Sequence, residues 1–420
     1  MGRARAPGRT GSSARDVATV GDRARPRTPK TSSPDVRGPV KSCAYLPEET
    51  SMRPTFSAIL TFATLALAAC GGETPPPQPP PPPAPAPLPA IASAAPPAVE
   101  TPPPPAPPKP ALSEVIPQVL KRYHEAWNAH DAAKMGTFMT DDVVAYAYGL
   151  HDHSGKGDFT SSIAKGWQTF PDAKTGTSRV FVKGNVAVVE LAWTGTMTGE
   201  MGETKPTNRP VGQRRVHVYF FTDDGLVKEV HQYFDAAGLR AQMKGEKNAP
   251  PLVPLPTGDP EVHVAKGAPD EDKLVGWAKQ FDEALSTDDA KKATALLADD
   301  VEYDPLDAPA LKGKKANAKA LESFFKAFPD QKWTPTNVWG VDGFVVVEHV
   351  FTGTPKLPFG RFTKVTGKPV TGEHVLEIWQ PNAEGKLLHA WSYSNPTEAL
   401  KQVGAVEKTP ETPAAGRHTP

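Results

Sequence analysis

Apolar residues recur at helical spacing between Val115 and Trp127. The recurring positions are Val115, Val119, Leu120, Tyr123 and Trp127. A period of three to four residues predicts an amphipathic helix. Two shorter helices are expected after it, one capped by Asp131 and one running from Phe159 to Trp167. The opening of this region is therefore predicted to be helical.

The pattern then changes to that of strands. Four segments rich in Val, Phe, Tyr and Thr follow, at 179–182, 186–194, 213–222 and 226–234. Lys183-Gly184-Asn185 and Asp223-Asp224-Gly225 separate them in pairs, as turn residues do in β-hairpins. A short helix over 236–243 closes the region. Three helices followed by a four-stranded antiparallel sheet predict an α+β domain.

One of these strands is apolar on both of its faces. Val216, Val218 and Phe220 lie on one side, and Tyr219 and Phe221 lie on the other. A sheet with one face in water would alternate cleanly between apolar and polar residues. We therefore expect one face to pack on helices and the other to line an enclosed pocket.

The same pattern occurs a second time. Shifting residues 131–172 by 158 positions gives 11 identities in 42 positions without a gap, in blocks. Further along, Glu190 matches Glu348, and Tyr233 matches Tyr393 after two inserted residues. A domain duplication follows from this, with units at 113–245 and 271–405 and a Pro/Gly linker at 246–270.

Composition separates the front of the chain from these units. Of 49 prolines in 420 residues, 20 lie within residues 75–110. Residues 71–112 are expected to form a stiff polyproline II spacer. Residues 1–51 and the tail 406–420 lack a core-forming pattern and are expected to be disordered. Residues 1–51 are an upstream extension if Met52 is the true start.

Residues 52–70 have the pattern of a secretory signal. Arg53 precedes the apolar run 56–69, which ends at small residues and Cys70. Leu67-Ala68-Ala69-Cys70 resembles the bacterial lipobox, whose cysteine receives a lipid anchor. The resemblance implies an exported protein held at a membrane, the outer one in a two-membrane cell. The alternative is a short buried helix that ends in an ordinary cysteine.

Charge and cysteine counts exclude several classes of protein. The 47 basic and 47 acidic residues cancel, so no basic bias points to nucleic acid. Two cysteines exclude a disulfide-dense scaffold and a Cys-rich zinc site. His151-Asp152-His153 can present two metal ligands on one strand face, but the sequence offers no third ligand nearby. A loop is expected there, and no metal.

The ordered set of motifs resembles the NTF2-like superfamily and, within it, the SnoaL-like group of polyketide and ester cyclases. The matching motifs are His130-Asp131, Thr140-Asp141-Asp142-Val143, Gly155-Lys156-Gly157, Phe170-Pro171-Asp172, Trp193-Thr194-Gly195-Thr196 and Gly225-Leu226-Val227. The resemblance implies two tandem cones, each a bent antiparallel sheet with helices packed on it and a pocket open at one end. It also implies a pseudo-dimer of the two units and chemistry without a cofactor.

Asp235, at the end of the last strand, is the first catalytic candidate. In the resembled cyclases an aspartate matching this position is the acid and base of an aldol ring closure. Asp235 also suits the N-cap of the helix that follows it. Its counterpart Asn395 caps a helix equally well but cannot act as a general base. The second unit is therefore expected to lack this chemistry.

Two histidines are further catalytic candidates. His217, aligned with Leu376, matches a family position that faces the pocket, and it also suits a structural role. His231, aligned with Trp391, is a candidate dyad partner of Asp235. The run Gly195-Thr196-Met197 lacks the histidine that the family has there. The residues expected to line a pocket, or alternatively the core, are Trp127, Tyr146, Trp193, Tyr219, Tyr233, Trp391, Tyr393 and Asn395.

Three hypotheses for the function remain open at this point. The first unit is a cofactor-free cyclase, isomerase or lyase; or both units bind a small apolar ligand; or the tandem fold binds an envelope protein and its interior is filled. A cavity of roughly 300 Å³ or more around Asp235 favours the first two hypotheses.

Overall fold

The computed structural model describes residues 110–287 and 289–405. The predictions for residues 1–51, for the signal at 52–70 with Cys70, for the spacer up to residue 109 and for the tail 406–420 lie outside the described residues. Among the residues described, no helix is both long enough and apolar enough to cross a membrane.

The first domain contains four helices and seven strands within this part of the chain. The helices are α1 (Leu112–Asn128), α2 (Ala132–Gly136), α3 (Lys156–Thr169) and α4 (Ala236–Lys244). The strands are β1 (Met139–Ala147), β2 (His153–Ser154), β3 (Lys174–Lys183), β4 (Val186–Thr196), β5 (Pro210–Phe221), β6 (Val227–Tyr233) and β7 (Glu261–Val264). They form one sheet in the order β2-β1-β6-β5-β4-β3-β7.

The second domain repeats this order of elements. Its helices are α5 (Pro269–Ser286), α6 (Ala290–Ala295), α7 (Lys314–Ala327) and α8 (Pro396–Gln402). Its strands are β8 (Leu297–Pro305), β9 (Leu311–Lys312), β10 (Lys332–Val341), β11 (Phe344–Gly353), β12 (Val370–Pro381) and β13 (Leu387–Ser394). The sheet order is β10-β11-β12-β13-β8-β9.

The predicted α+β class is confirmed, but two details of the sheets differ from expectation. Each sheet is mixed, because β1 and β8 lie parallel to β6 and β13, the last strands of the two meanders. The expected linker 246–270 also contains β7, which pairs in parallel with β3. Only four residues long and close to prolines and glycines, β7 gives too short a pattern to predict a strand.

Helices cover one face of each sheet and enclose the interior of each cone. In the first domain α1 buries Ile116, Leu120 and Tyr123 against strand residues such as Val189 and Tyr219. Met135 and Met139 are buried in the same core. The interior of the first domain therefore contains a packed apolar core.

The opposite faces of the two sheets pack against each other. Val216 and Val218 of the first sheet join Val346, Leu376 and Ile378 of the second in one core, and all five are fully buried. This packing corrects the expectation that the second apolar face of the strand lines a pocket. The partner that buries it is the other copy of the domain, which no pattern within one unit reveals.

Polar contacts cross this interface in a repeated way. The Tyr233 hydroxyl donates to Glu348 Oε1 at 2.6 Å, and Tyr393 donates to Glu190. The equivalent tyrosine of each domain thus bonds the equivalent glutamate of the other. Arg214 adds two hydrogen bonds to the Asp304 carboxylate, at 2.5 and 2.9 Å.

Candidate ligand-binding site

The second cone contains a cavity of about 960 Å³. Helices α5 and α7 and all six strands of the second domain contribute to its wall. Its aromatic lining residues include Phe281, Phe324, Phe328, Trp333, Phe351, Phe359, Phe362 and Trp379. Cavities of this size with a mainly apolar lining and a few placed polar groups hold small organic molecules.

One strand supplies the acidic side of the cavity. Glu373, Val375, Glu377 and Trp379 line it together, since alternate residues of β12 share one face. Glu373 accepts a hydrogen bond from Arg361, which also donates to Asp307 at 3.0 Å. Burial raises the pKa of Glu373, and the Arg361 charge opposes that rise. Arg361 therefore holds two carboxylates at the edge of the cavity.

Glu377, on the same face of β12, has a different set of partners. Trp379 Nε1 donates to its carboxylate at 3.0 Å, and among the described residues no lysine or arginine forms an ion pair with it. Burial raises the pKa of Glu377, with the charge of Asp282 adding to the rise and that of His349 and a hydrogen bond with Ser392 opposing it. Glu377 is therefore a buried carboxyl group without a cationic neighbour in contact.

A groove of about 440 Å³ lies beside the cavity and contains Asp235. Its walls come from α4, from Asn248 to Pro251 and from Pro305 to Pro309. Asn248 and residues 305–309 also line the cavity, so the two spaces adjoin. Burial raises the pKa of Asp235, against the hydrogen bond from Gly238 N–H and with the help of the Asp307 charge.

Asp235 and Asn395 both cap helices, as expected. The Asp235 carboxylate accepts from Gly238 N–H at 2.8 Å at the start of α4. Asn395 accepts from Thr397 N–H at 3.2 Å at the start of α8. Asn395 is fully buried, and its Nδ2 also donates to the Tyr148 carbonyl of the first domain at 2.8 Å.

His217 lies inside the first cone, away from the acidic cavity of the second. Its Nδ1 is 3.1 Å from the Tyr219 hydroxyl. Burial lowers the pKa of His217 well below its usual range, and the charges of Arg215 and His124 add to this effect. His217 is thus a neutral, half-buried ring beside Tyr219.

The residue of the second domain that matches His217 is Glu377, and the alignment with Leu376 was wrong by one position. The equivalent glutamates Glu190 and Glu348 pair with Val216 and Leu376 respectively. Val216 therefore corresponds to Leu376. The extra residue lies at the start of β12, between Val370 and Glu373, where the pairing with β11 shifts by one residue while the equivalent strands β4 and β5 pair evenly.

His231 does not form the expected dyad with Asp235. Its Nδ1 lies 2.7 Å from Glu348 Oε1 of the second domain, and its Nε2 lies 2.8 Å from Glu229 Oε1. Both ring nitrogens are occupied by carboxylates at the domain interface. The decisive partner, Glu348, belongs to the other repeat.

None of the eight residues expected to line a pocket borders the cavity or the groove. Trp193 and Tyr219 are buried in the first cone, and Trp127 packs against that core. Tyr233, Trp391 and Tyr393 lie in the core between the sheets, Tyr146 stacks on Tyr148, and Asn395 caps α8. The lining residues that the sequence analysis missed had one available signal: Glu373 and Glu377 alternate with Val375 and Trp379 on one face of β12.

Comparisons with known proteins identify both repeats. Residues 117–243 match the family model described as SnoaL-like polyketide cyclase. Residues 278–389 match the model described as SnoaL-like domain. The comparison with curated protein sequences gives no match.

Similar solved structures each cover about one domain. A candidate SnoaL-like polyketide cyclase from Jannaschia sp. CCS1 is 17% identical, with 35% of this chain and 100% of that chain covered and a TM-score of 0.31. An LEH-like epoxide hydrolase from M. tuberculosis is 15% identical, covering 33% and 93%, with a TM-score of 0.28. TsrD from Streptomyces laurentii is 17% identical, covering 31% and 95%, also with a TM-score of 0.28.

Proposed function

We propose that this chain, which carries two SnoaL-like domains in tandem, binds a small apolar amine in the cavity of its second domain. The observation that carries the proposal is an aromatic cavity of about 960 Å³ that ends on an acidic wall. Four carboxyl groups and two guanidinium groups border the cavity and the adjoining groove. The carboxyl groups are those of Asp235, Asp307, Glu373 and Glu377, and the guanidinium groups are those of Arg361 and of Arg214, which pairs with Asp304.

The aromatic walls favour the apolar body of such a ligand. Burying apolar surface contributes about 25 cal/mol per Å², and a cation close to an aromatic face gains further attraction. The acidic wall favours its ammonium group, because among the described residues no lysine or arginine pairs with Glu377. A buried carboxyl with a raised pKa ionises most readily when a positive charge arrives beside it. Charge complementarity therefore selects an amine over an acid.

Calorimetric titration of the full chain with three ligands of one shape tests this. The ligands are 1-naphthylmethylamine, 1-naphthylmethanol and 1-naphthoate. We expect the amine to bind at least ten-fold more tightly than the alcohol, and the acid to bind most weakly. Glu377→Gln should remove most of the preference for the amine. Glu384→Gln is the matched control, since Glu384 is exposed in the turn between β12 and β13.

Equal affinity for the three ligands would contradict the selection of an amine. Failure of all three to bind, with folding intact by thermal unfolding, would contradict ligand binding itself. Mass spectrometry of molecules that co-purify with the protein identifies the natural ligand.

Acid–base catalysis by Asp235 is the second candidate function. The supporting observation is a buried carboxyl of raised pKa on the wall of a groove, which is the setting of many general acids and bases. Asp235→Asn keeps a residue that caps, as Asn395 does. Lost turnover of a substrate at unchanged melting temperature supports catalysis, whereas a change in stability alone leaves Asp235 as a helix cap.

We further propose that the protein acts in the cell envelope, anchored by lipid on Cys70. The support is the sequence of residues 52–70, which ends at that cysteine. Cys70→Ser should move the protein out of the membrane fraction and remove the lipid mass from the N-terminal peptide. Unchanged membrane association of Cys70→Ser would overturn the proposal.

A further inference from the structure

The loop between β1 and β2 carries metal-binding residue types that the ligand site does not use. His151 and His153 flank Asp152, and Asp158 follows in the first turn of α3. One ligand atom from each of His151, His153 and Asp158 lies within 4.8 Å of the others. The third ligand that the His-x-His spacing lacked is thus supplied by the fold, because α3 starts immediately after β2.

Two of the three ligands already have the separation that a metal ion needs. His153 Nδ1 is 3.1 Å from Asp158 Oδ2. Ligands of a tetrahedral zinc ion, with bonds of about 2.0–2.2 Å, lie roughly 3.3 Å apart. The His151 ring is exposed, with its centroid 5.3 Å from that of His153. It can therefore turn towards the other two without disturbing the core.

Outer contacts hold these ligands in place. Ser154 N–H donates to Asp158 Oδ2 at 3.2 Å, and Phe159 packs beside the His153 ring at 6.0 Å between centroids. Such outer hydrogen bonds and packing orient ligands and raise metal affinity.

Hydrogen bonds from both domains hold the loop itself. Asp152 accepts from Ala147 N–H at 3.2 Å within the first domain. From the second domain, Asn395 donates to the Tyr148 carbonyl at 2.8 Å and Lys401 to the Gly149 carbonyl at 3.1 Å. Little conformational entropy remains to be lost when an ion binds.

We propose that His151, His153 and Asp158 form a binding site for a divalent transition metal, best suited to Zn²⁺. Two imidazoles and one carboxylate are ligands that zinc accepts, and three protein ligands leave one position open to water or an exogenous ligand. The second domain has Pro309, Leu311 and Ala316 at the matching positions. The metal site is thus found in the first domain only, and it shares no residue with the cavity of the second domain.

Zinc titration of the full chain without a histidine tag, in competition with a chromophoric chelator, tests the proposal. We expect one equivalent to bind with micromolar affinity. Affinity should fall at least ten-fold in His151→Ala and in Asp158→Asn. His263→Ala is the matched control, because His263 pairs with Asp342 at 2.9 Å without a second imidazole. Cobalt in place of zinc should give visible absorption bands that the His151→Ala variant lacks.

Absence of saturable zinc binding below about 100 μM would overturn the site. Binding that survives His151→Ala and Asp158→Asn, or that falls equally in His263→Ala, would also overturn it. His151 is exposed, so its replacement should leave the melting temperature of the metal-free chain unchanged. That measurement separates a lost ligand from a lost fold.

Discussion

Asp235 and Asn395 occupy equivalent positions and cap equivalent helices, but their second contacts differ. Asn395 uses its amide to donate to the Tyr148 carbonyl while its oxygen caps α8. An ionised aspartate has no donor and would place a negative charge against that carbonyl. The equivalent Asp235 instead faces the groove. Asn395 thus serves both as a helix cap and as an interdomain contact.

Exchanging these two residue types should have unequal effects on stability. Asn395→Asp is expected to lower the free energy of unfolding by about 3 kcal/mol, because it leaves a buried carbonyl and a buried charge unsatisfied. Asp235→Asn should cost less than about 1 kcal/mol, since asparagine also caps. Urea unfolding of both variants at neutral pH measures the difference. Similar losses in the two variants would contradict the role assigned to Asn395.

Caps could be predicted from sequence because they are local. Asp131 accepts from Lys134 N–H, three residues away, and Asp235 accepts from Gly238 N–H at the same spacing. His231 could not be placed in this way. Its partner Glu348 is 117 residues distant in the chain and belongs to the other repeat. When the partner of a side chain lies in the other domain, the sequence pattern of one unit does not predict the contact.

Among the elements, the motifs that recur in both repeats join neighbouring segments. Asp172, in the turn after α3, accepts from Thr196 N–H at the end of β4, and Asp330 accepts from Thr354 N–H just beyond β11. Lys156 pairs with Asp141 across α3 and β1. These contacts fix where each element ends. The order of helices and strands could be predicted because these motifs occur in both repeats, whereas β7 and the offset in β12 each occur in only one.

The contact between β6 and β11 makes stability depend on pH. His231 of β6 lies between Glu229 of its own strand and Glu348 of β11, with the Tyr148 ring 5.6 Å away. Burial lowers the pKa of His231, but hydrogen bonds and charges of the two glutamates outweigh it, and the pKa is raised. Protonated His231 therefore links the two sheets.

A raised pKa in the folded state stabilises the protein at low pH. The contribution of His231 is complete below its unfolded pKa of about 6.5 and is lost as pH rises through the higher folded value. At pH 6, His231→Gln should be less stable than the wild type by about 2 kcal/mol, as for a hydrogen bond to a charged group. The difference should shrink by pH 9. Unfolding free energies of both proteins across this range provide the test, and a pH-independent difference would exclude the ionic link.

At the scale of the whole molecule, both faces of each sheet are covered within the described residues. Helices cover one side and the other sheet covers the second, so neither domain is complete without its neighbour. The duplication and the class of each unit were evident from the sequence. The covering of one sheet by the other was not, because an apolar strand face has the same pattern whether a pocket or a protein surface lies against it.

A charge placed in the shared core should therefore unfold both domains together. Val218→Asp is expected to lower the free energy of unfolding by more than about 4 kcal/mol, because Val218 is fully buried between the sheets. Val262→Asp is the control, since Val262 on β7 is 45% exposed, and it should change stability by less than about 0.5 kcal/mol. Calorimetry should show one transition in each protein. Two separate transitions in Val218→Asp, one unchanged, would show that the domains fold independently.

The contact between Asn395 and Tyr148 has a consequence for how the two halves can diverge. In an assembly of two identical chains, any substitution appears at both ends of the symmetry axis, and each end must tolerate it. Within a single chain the two ends are encoded separately. The Asn395 amide donates to a loop of the first domain, whereas the equivalent Asp235 carboxylate borders an open groove. Two equivalent positions in one chain can therefore carry different residues with different contacts, which the symmetry of a homodimer would forbid.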